Sequence, residues 1–206
     1  MQLTQAILSV RIELWKAVRR VLPDRKRLWK KEMCMELTKQ DRLEKLLNAY
    51  SHHYDIEREV AVDGELFPAM AIYYLRDENY LINKKHVLSA VENHEYVYFY
   101  LTEHLDAATL QQQIELTRND GLGRIKPHKE HMSSMVGLVI LADTIDAEAK
   151  ALIKKTRFRK NYRLALHGWM EYQIAAMEIS TNSFLSNPAG KNAKKTLELN
   201  FPSKGI

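Results

Sequence analysis

The chain has 206 residues, of which 46% are apolar and 28% are charged, and its formal net charge is +5. This composition is ordinary for a soluble globular protein and allows one domain with an extension, or two small domains. The single cysteine, Cys34, excludes an intramolecular disulfide and a cysteine-based zinc site. The longest apolar run, Met135–Ala142, is far shorter than the roughly 20 residues that span a bilayer, so we expect no transmembrane segment.

The first 31 residues hold nearly all of the excess positive charge. They contain nine basic and two acidic side chains, a net of +7, so the rest of the chain is close to neutral. Apolar residues such as Leu3, Ile7 and Leu14 recur at helical spacing, which predicts an amphipathic helix. Charged residues interrupt this stripe, so we expect no signal peptide and a cytoplasmic location. We predict a basic helical arm over residues 1–37 and a globular domain over residues 38–206.

The spacing of apolar residues changes along the first half of the chain, and the predicted elements follow it. In chain order they are a second helix over about 24–50 that can break near 38, strands 56–62 and 67–75 around the turn 63–64, a turn at 77–79, a short strand at 80–82, a helix at 85–92 and a strand at 96–101. The last segment, YVYFYL, is the strongest strand prediction because it is dense in aromatic and β-branched residues.

In the second half, helices and strands are predicted to alternate. In chain order we expect a helix over about 107–118, a polar loop at 124–131, a strand at 132–142, a helix over about 147–157, a strand at 162–179 that is continuous or hinged at 168, an extended piece at 184–185 and a helix at 188–197. Asp106 and Asp146 are expected to cap the first two helices. Gly121 and Gly123 should end the first, and the Asn187-Pro188 pair should start the last.

One internal echo accompanies these helix starts. Residues 101–107 read LTEHLDA and residues 141–147 read LADTIDA, forty residues later. Both segments mark a strand that ends and a helix that an aspartate caps. The echo is either a common strand-to-helix junction used twice or a pair of duplicated βα units.

Together the elements predict an α+β fold with a single twisted, largely antiparallel sheet and flanking helices, preceded by the basic helical extension. The order α-β-β-β-α-β also matches the core of restriction-endonuclease-like folds, which is the alternative. A nuclease of that kind needs an acidic residue on one strand and Glu-x-Lys on the next. Asp63 lies in a turn, and Val97 stands where lysine should follow Glu95. The alternative core therefore comes without its catalytic triad.

Three segments resemble a bacterial domain family that has no assigned function. They are EHMSS at 130–134, RKNY at 159–162 before Gly168-Trp169, and SNPAGK at 186–191. The resemblance covers roughly residues 38–197 and leaves the basic arm outside. It implies a domain boundary near residue 37, and it implies no chemistry, because none is assigned to the family.

Histidine pairs are the candidates for a metal site. His128 and His131 lie three residues apart, whereas zinc proteases place two histidines four apart on a helix, with a glutamate after the first. We interpret 128–131 as a polar loop before a strand. His52 and His53 lie at a helix end, where imidazolium meets the dipole favourably or faces solvent. We therefore predict no metal and no cofactor. Whether a pocket gathers His128, His131 and Glu171 is a question for the structure.

Two glycine-containing segments invite a ligand interpretation. Gly190-Lys191 stands near a predicted helix start, but Leu185 and Asn192 occupy the positions where a phosphate loop requires glycine and Ser or Thr. We interpret this segment as the start of a capped helix. Gly168-Trp169 suggests a bulge or bend, with Trp169 as a core anchor or as part of a ligand pocket.

Positive charge supplies the candidate contact residues. Possible contacts with phosphates or a partner are Arg19, Arg20, Arg25, Lys26 and Arg27 in the arm, and Lys154, Lys155, Arg157, Arg159 and Lys160 in a second cluster. The leading hypothesis is a non-enzymatic binding or interaction module whose arm docks a protein partner or a second copy of the chain. One alternative is a nucleic-acid-associated protein that binds phosphates through these patches. Another is an enzyme whose pocket residues are scattered in sequence.

The apolar stripe of the arm favours the leading hypothesis. Burying one leucine contributes roughly 1.5–3 kcal/mol, whereas an exposed ion pair contributes about 0–1 kcal/mol. We therefore expect burial of the apolar stripe, more than the charges, to determine which surface the arm contacts.

Overall fold

A computed structural model describes residues 37–80 and 87–202 of the chain. Its helices are α1 (Lys39–Tyr50), α2 (Ala107–Arg124), α3 (Ala147–Lys155) and α4 (Lys191–Asn200). Its strands are β1 (Asp55–Val62), β2 (Glu65–Tyr80), β3 (Val87–Leu105), β4 (His131–Ile145), β5 (Arg159–Asn161), β6 (Trp169–Glu178) and β7 (Ser183–Ser186). Residues 1–36 of the predicted arm lie outside the described residues.

The strands form one open mixed sheet in the order β1-β2-β3-β4-β6-β5, and β7 also pairs with β6. β1, β2 and β3 run antiparallel as two successive hairpins. β3, β4 and β6 run parallel, with α2 and α3 in the two crossovers. β5 and β7 pair antiparallel with β6. The fold is α+β with a mostly antiparallel sheet, which confirms the predicted class. In the described part of the chain the first six elements have the order α-β-β-β-α-β.

Apolar residues are buried on both faces of the sheet. Along β6, Tyr172 and Ile174 belong to one core with residues of α2 and α3, such as Ile114. Met177 belongs to the core on the other face, which includes Leu46 of α1. A strand that is buried on both faces needs apolar side chains at successive positions. This requirement explains the long apolar run in β4.

β2 and β3 are longer than the sequence predicts. The turn expected at 77–79 is wrong, because β2 continues to Tyr80 and pairs Asp77 with Val91. The helix expected at 85–92 is also wrong for residues 87–92, which form the start of β3. The cross-strand hydrogen bonds of the ribbon outweigh the local turn and helix preferences of these polar segments. Residues 81–86 lie outside the described part of the chain.

The helix after β3 begins as predicted and ends later. Asp106 caps α2, and its Oδ1 accepts a hydrogen bond from the Thr109 amide at 2.7 Å. Gly121 and Gly123 do not end the helix, which continues to Arg124. A Cβ at Gly121 would lie 2.6 Å from the Val136 side chain. This glycine therefore allows α2 to pack closely on β4.

The two echoing segments are neighbours in the sheet. β3 and β4 pair in parallel register, with Leu101 opposite Leu141 and Leu105 opposite Ile145. The Asp146 amide donates to the Leu105 carbonyl at 3.0 Å. Asp146 stands at the N-cap of α3, although its side chain makes no capping bond. The echo thus marks two adjacent strand-to-helix junctions of the same kind.

The strand predicted at 162–179 begins only at Trp169. Residues 162–168 form a turn between β5 and β6, and Gly168 has a φ of +74°. A Cβ at Gly168 would clash with the Met132 carbonyl oxygen, so glycine is required for this close approach. The predicted hinge position is therefore where the strand starts.

The last helix begins at Lys191, not at Pro188, and Asn187 is not its N-cap. Asn187 is 1% exposed and lies against the outer edge of β6. Its Oδ1 accepts from the amides of Ile174 at 3.0 Å and Gly190 at 2.7 Å. Its Nδ2 donates to the carbonyls of Tyr172 at 2.9 Å and Thr156 at 3.3 Å. In the middle of β6, neither β5 nor β7 pairs with the backbone on this side. The side-chain amide of Asn187 takes the place of a neighbouring strand there.

Replacing Asn187 with alanine should destabilise the domain strongly. The substitution leaves the Ile174 amide and the Tyr172 carbonyl without these partners, and each buried unpaired group costs about 1–3 kcal/mol. We expect the free energy of unfolding to fall by about 2–5 kcal/mol in chemical denaturation. Asn192→Ala, at an exposed position of α4, is the matched control. Equal stability of the two variants would contradict the bridging role.

Candidate functional site

A cavity of about 500 Å³ lies beside β6. Three segments form its wall: the end of the α3–β5 connection with β5, the middle of β6, and the segment before α4. The lining residues are Arg157, Phe158, Arg159, Glu171, Tyr172, Asn187, Pro188 and Ala189. The Tyr172 amide donates to the Phe158 carbonyl at 3.0 Å, and the Asn187 amide group holds the third segment. The wall is thus attached to β6 from both sides of the cavity.

Two exposed arginines bring positive charge to this cavity. The Nη1 of Arg157 donates to the backbone carbonyls of Lys154 at 2.6 Å and Thr156 at 3.0 Å. The guanidinium of Arg159 lies 4.8 Å from the centre of the Trp169 ring. Within residues 37–80 and 87–202, neither arginine forms an ion pair with a carboxylate. Their charges are therefore available to a ligand.

Glu171 is the one acidic residue in the cavity wall. It lies on β6 opposite Arg159 in the antiparallel register. In the described part of the chain its carboxylate forms no ion pair. The wall therefore combines two cations with one hydrogen-bond acceptor that carries negative charge.

The structure divides the predicted second basic cluster. Arg157 and Arg159 line the cavity, whereas Lys154 and Lys155 are exposed in the last turn of α3. The Nζ of Lys160 on β5 lies 5.5 Å from the Tyr162 ring centre. The candidate residues of the arm lie outside the described residues: Arg19, Arg20, Arg25, Lys26 and Arg27.

A second polar cluster surrounds Glu92, which is 7% exposed. Its carboxylate accepts from the Nη1 of Arg76 at 2.6 Å and lies 3.0 Å from the Nε2 of His128. The Nδ1 of His128 accepts from the amides of Glu130 and His131 at 3.1 and 3.0 Å. The proton of neutral His128 therefore lies on Nε2, which faces Glu92. Both ring nitrogens have a protein partner.

Burial alone would raise the pKa of Glu92. The Tyr74 hydroxyl, the nearby His128 and the Arg76 guanidinium outweigh this effect and hold the pKa below its ordinary value. Glu92 therefore remains a carboxylate that joins the end of the β2–β3 ribbon to the loop before β4.

His131 is buried at 3% exposure, and both of its nitrogens are also occupied. Its Nδ1 lies 2.7 Å from the His167 carbonyl oxygen, and its Nε2 lies 2.8 Å from the Ser134 Oγ. A carbonyl only accepts, so Nδ1 carries the proton and Nε2 accepts from the serine. His128 and His131 thus serve as hydrogen-bonding groups around the start of β4.

The structure does not gather Glu171 with the two histidines. Ser134, the partner of His131, pairs in register with Met170, which faces the α2–α3 core. Glu171 follows Met170 and so points to the opposite face. Among the described residues, no group of three or more His, Cys, Asp or Glu side chains could hold a metal ion.

The structure also shows where the remaining predicted residues lie. His52 and His53 are exposed after α1, as expected. Trp169 is only partly buried and belongs to neither core, so the core-anchor prediction is wrong. Asp63 lies in the β1–β2 turn, and the β2 residue opposite Glu95 is Tyr73. The described strands thus place no second carboxylate beside Glu95 at that position.

Sequence reasoning missed the Glu92 cluster because it assigned residues 85–92 to a helix. Once this segment is a strand, Glu92 and His94 share one face, since side chains alternate along a strand. The Nε2 of His94 lies 3.8 Å from the Glu92 carboxylate. On a strand, the Glu-x-His spacing of Glu92 and His94 would have predicted that the two side chains lie together.

Glu178, at the end of β6, is a further buried carboxylate. It accepts from the Lys150 Nζ at 2.9 Å, the Thr181 hydroxyl at 2.5 Å and the Ile145 amide at 3.0 Å. Burial alone would raise the pKa of Glu178, but these hydrogen bonds hold it at about 2. The group ties β6 to α3 and to the end of β4.

The structure shows a small α+β domain with an open mixed sheet and a cavity beside β6 whose wall includes two arginines. The chain belongs to the family described as Domain of unknown function (DUF8052), whose model matches residues 38–199. This match confirms the resemblance to a family without assigned function. Searches of curated proteins and of solved structures found no significant match. Among the described helices, none has the length and apolar character needed to cross a bilayer.

Glu178 should make the stability of the domain depend on pH. Its folded pKa of about 2 lies below the ordinary value of 4.5, so its contribution is complete above pH 4.5 and is lost as the pH falls towards 2. Near neutral pH, Glu178→Gln should lower the free energy of unfolding by about 3 kcal/mol, and this deficit should shrink in acid. Denaturation at several pH values measures it. The exposed Glu103→Gln is the control, and a deficit that does not vary with pH would contradict the assignment.

Proposed function

We propose that the domain is a non-catalytic binding module whose cavity beside β6 holds a small anionic ligand. The observation that supports this proposal is the pair Arg157 and Arg159 in one cavity wall, with no carboxylate bound to either in the described residues. A guanidinium offers a planar fork of donors that matches a carboxylate or a phosphate group. The expected cytoplasmic location is part of the same proposal.

The rest of the wall indicates what kind of anion fits. Phe158 and Pro188 add apolar surface, and Glu171 can accept a hydrogen bond from a hydroxyl or amine. A volume of about 500 Å³ is within the range of small-molecule sites. The site suits a small organic acid or phosphate ester that also carries a hydrogen-bond donor.

Binding is favoured over covalent catalysis by the composition of the wall. Its eight residues include no serine, threonine, cysteine, histidine or lysine. Nucleophilic catalysis commonly pairs a side chain of that type with a base within hydrogen-bond reach. Glu171 and Tyr172 are also of types that can act as nucleophiles, but the Tyr172 hydroxyl is buried against the Thr117 Oγ1 at 2.6 Å. An enzyme therefore remains the alternative through Glu171 or through residues outside this cavity.

Removing the two cavity arginines should abolish most anion binding. Charge-assisted hydrogen bonds contribute about 1.5–3 kcal/mol each, so Arg157→Gln and Arg159→Gln should each raise Kd about tenfold or more. Calorimetric titration with pyrophosphate and with citrate measures the change. The variant with both arginines replaced is matched by Lys154→Gln with Lys155→Gln, which removes the same two charges outside the cavity. An equal loss in the control would show non-specific charge attraction and overturn the site.

Nucleic acid is a second candidate ligand, favoured by the cations that lie over aromatic rings. Arg159 lies over Trp169 and Lys160 over Tyr162, and proteins that bind single strands combine basic grooves with aromatic stacking. The same variants test this candidate with a labelled single strand at low and high salt. Affinity should fall with a logarithmic slope of about −0.7 per phosphate contacted. Wild-type binding no tighter than roughly 10⁻⁴ M would remove the candidate.

We also propose that the predicted arm docks a protein partner or a second copy through its apolar stripe. Leu14→Asp should dissociate such an assembly, because it places a charge within the stripe. Light scattering coupled to gel filtration measures the mass. Gln5→Asp adds the same charge on the opposite side of the predicted helix and should leave the mass unchanged. A wild type that is monomeric at every concentration tested, and that captures no partner, would contradict the proposal.

A further inference from the structure

The turn between β5 and β6, residues 162–168, has an unusual backbone. Arg163, Leu164 and Ala165 have φ values of 46°, 54° and 71°, so three successive non-glycine residues are left-handed. Residues with a Cβ visit this region mostly as single residues, because it is strained. None of the three is an asparagine or a glycine, which tolerate it best. The local sequence therefore does not favour this loop, and contacts around it must hold its shape.

Several hydrogen bonds hold the loop. The amides of Leu166, His167 and Gly168 donate to the carbonyls of Arg163, Tyr162 and Ala165 at 3.0, 3.1 and 3.2 Å. The buried His131 binds the His167 carbonyl from below at 2.7 Å. The tip is thus a fixed structure, and three of its backbone donors are satisfied within the loop.

This fixed backbone presents leucines to solvent. Leu164 is 96% exposed and Leu166 is 77% exposed, the two highest values among the exposed large apolar side chains of the described residues. The flanking sequence is strongly basic. Residues 157–170 contain four cations, Arg157, Arg159, Lys160 and Arg163, and no acidic residue.

We propose that the 162–168 loop docks the domain on a membrane surface rich in anionic lipids, with Leu164 and Leu166 entering the interface and the flanking cations facing lipid phosphates. Exposed apolar groups beside basic residues are the chemistry that such an interface recognises. Anionic headgroups attract nearby lysines and arginines. This inference requires no ligand in the cavity, although Arg157 and Arg159 belong to both proposals.

The geometry favours a membrane over a protein groove or nucleic acid. The two leucines stand out at a loop tip, and a bilayer accepts such apolar side chains without a matching pocket. Nucleic acid would use the cations and gain nothing from two exposed leucines.

Vesicle sedimentation of the full chain tests the proposal. Wild-type protein should partition onto phosphatidylcholine vesicles that contain phosphatidylglycerol, and at least about tenfold more weakly onto phosphatidylcholine alone, since each nearby cation contributes on the order of a few-fold. Leu164→Ser with Leu166→Ser should weaken partition onto the anionic vesicles by about tenfold or more. Leu199→Ser, at a 72% exposed leucine of α4, is the matched control and should bind like wild type.

A second measurement separates insertion at the loop from attraction of the basic arm. An environment-sensitive dye at Leu164→Cys, in a Cys34→Ser background, should shift to the blue on addition of anionic vesicles. The same dye at Leu199→Cys should not shift. Circular dichroism confirms that each variant is folded before it is compared.

Three outcomes overturn the inference. Partition that is unchanged in the double leucine variant would assign membrane binding to another part of the chain. Wild type that stays in solution with anionic vesicles would exclude the membrane. A larger species without vesicles, lost in the double variant, would show that the loop docks a protein surface instead.

Discussion

The domain depends on how the outer edge of β6 is completed. β5 pairs with the start of this strand and β7 with its end, which leaves the backbone between them without a strand neighbour. The side-chain amide of Asn187 supplies the missing donor and acceptor at Tyr172 and Ile174. Unpaired buried backbone groups are costly, so an interrupted edge is stable only with such a substitute. One buried asparagine therefore allows two short strands to share one side of β6.

This arrangement determines where the cavity can form. A continuous strand along β6 would fill the edge, whereas the interruption leaves space that Arg157, Arg159 and the 187–189 segment surround. Gly190 belongs to the same arrangement, because a Cβ there would clash with the Ile174 carbonyl. The cavity thus follows from one feature of the sheet.

Sequence patterns predicted the parts of the fold that rest on local chemistry. The turn at Asp63-Gly64, the Asp106 cap and the apolar runs of β3 and β4 were visible because turn residues, capping residues and burial leave local signals. The ribbon at 87–92 and the turn at 162–168 were not, since cross-strand pairing and the contacts of His131 and Gly168 override local preference. The basic cluster was visible as charge, but only the folded edge separates its cavity residues from Lys154 and Lys155. The sequence could not show that Glu171 lies on the opposite face of the sheet from His131, because the strand register decides this.

The three segments that carry the family resemblance meet around β6, and each has a structural task there. His131 and Ser134 bind each other beneath the 162–168 loop, the residues from Arg159 form β5, and Asn187 with Gly190 completes the edge. The residues that carry the resemblance therefore have structural roles at this edge, and none of these roles implies a chemical activity. Side chains that take no part in that construction are the ones free to act on a ligand or a surface. At this edge they are the carboxylate of Glu171 and the two leucines of the loop. Arg157 and Arg159 bond to neighbouring backbone and side-chain oxygens, but no carboxylate of the described residues neutralises their charge. A ligand or a surface should accordingly be sought at these side chains.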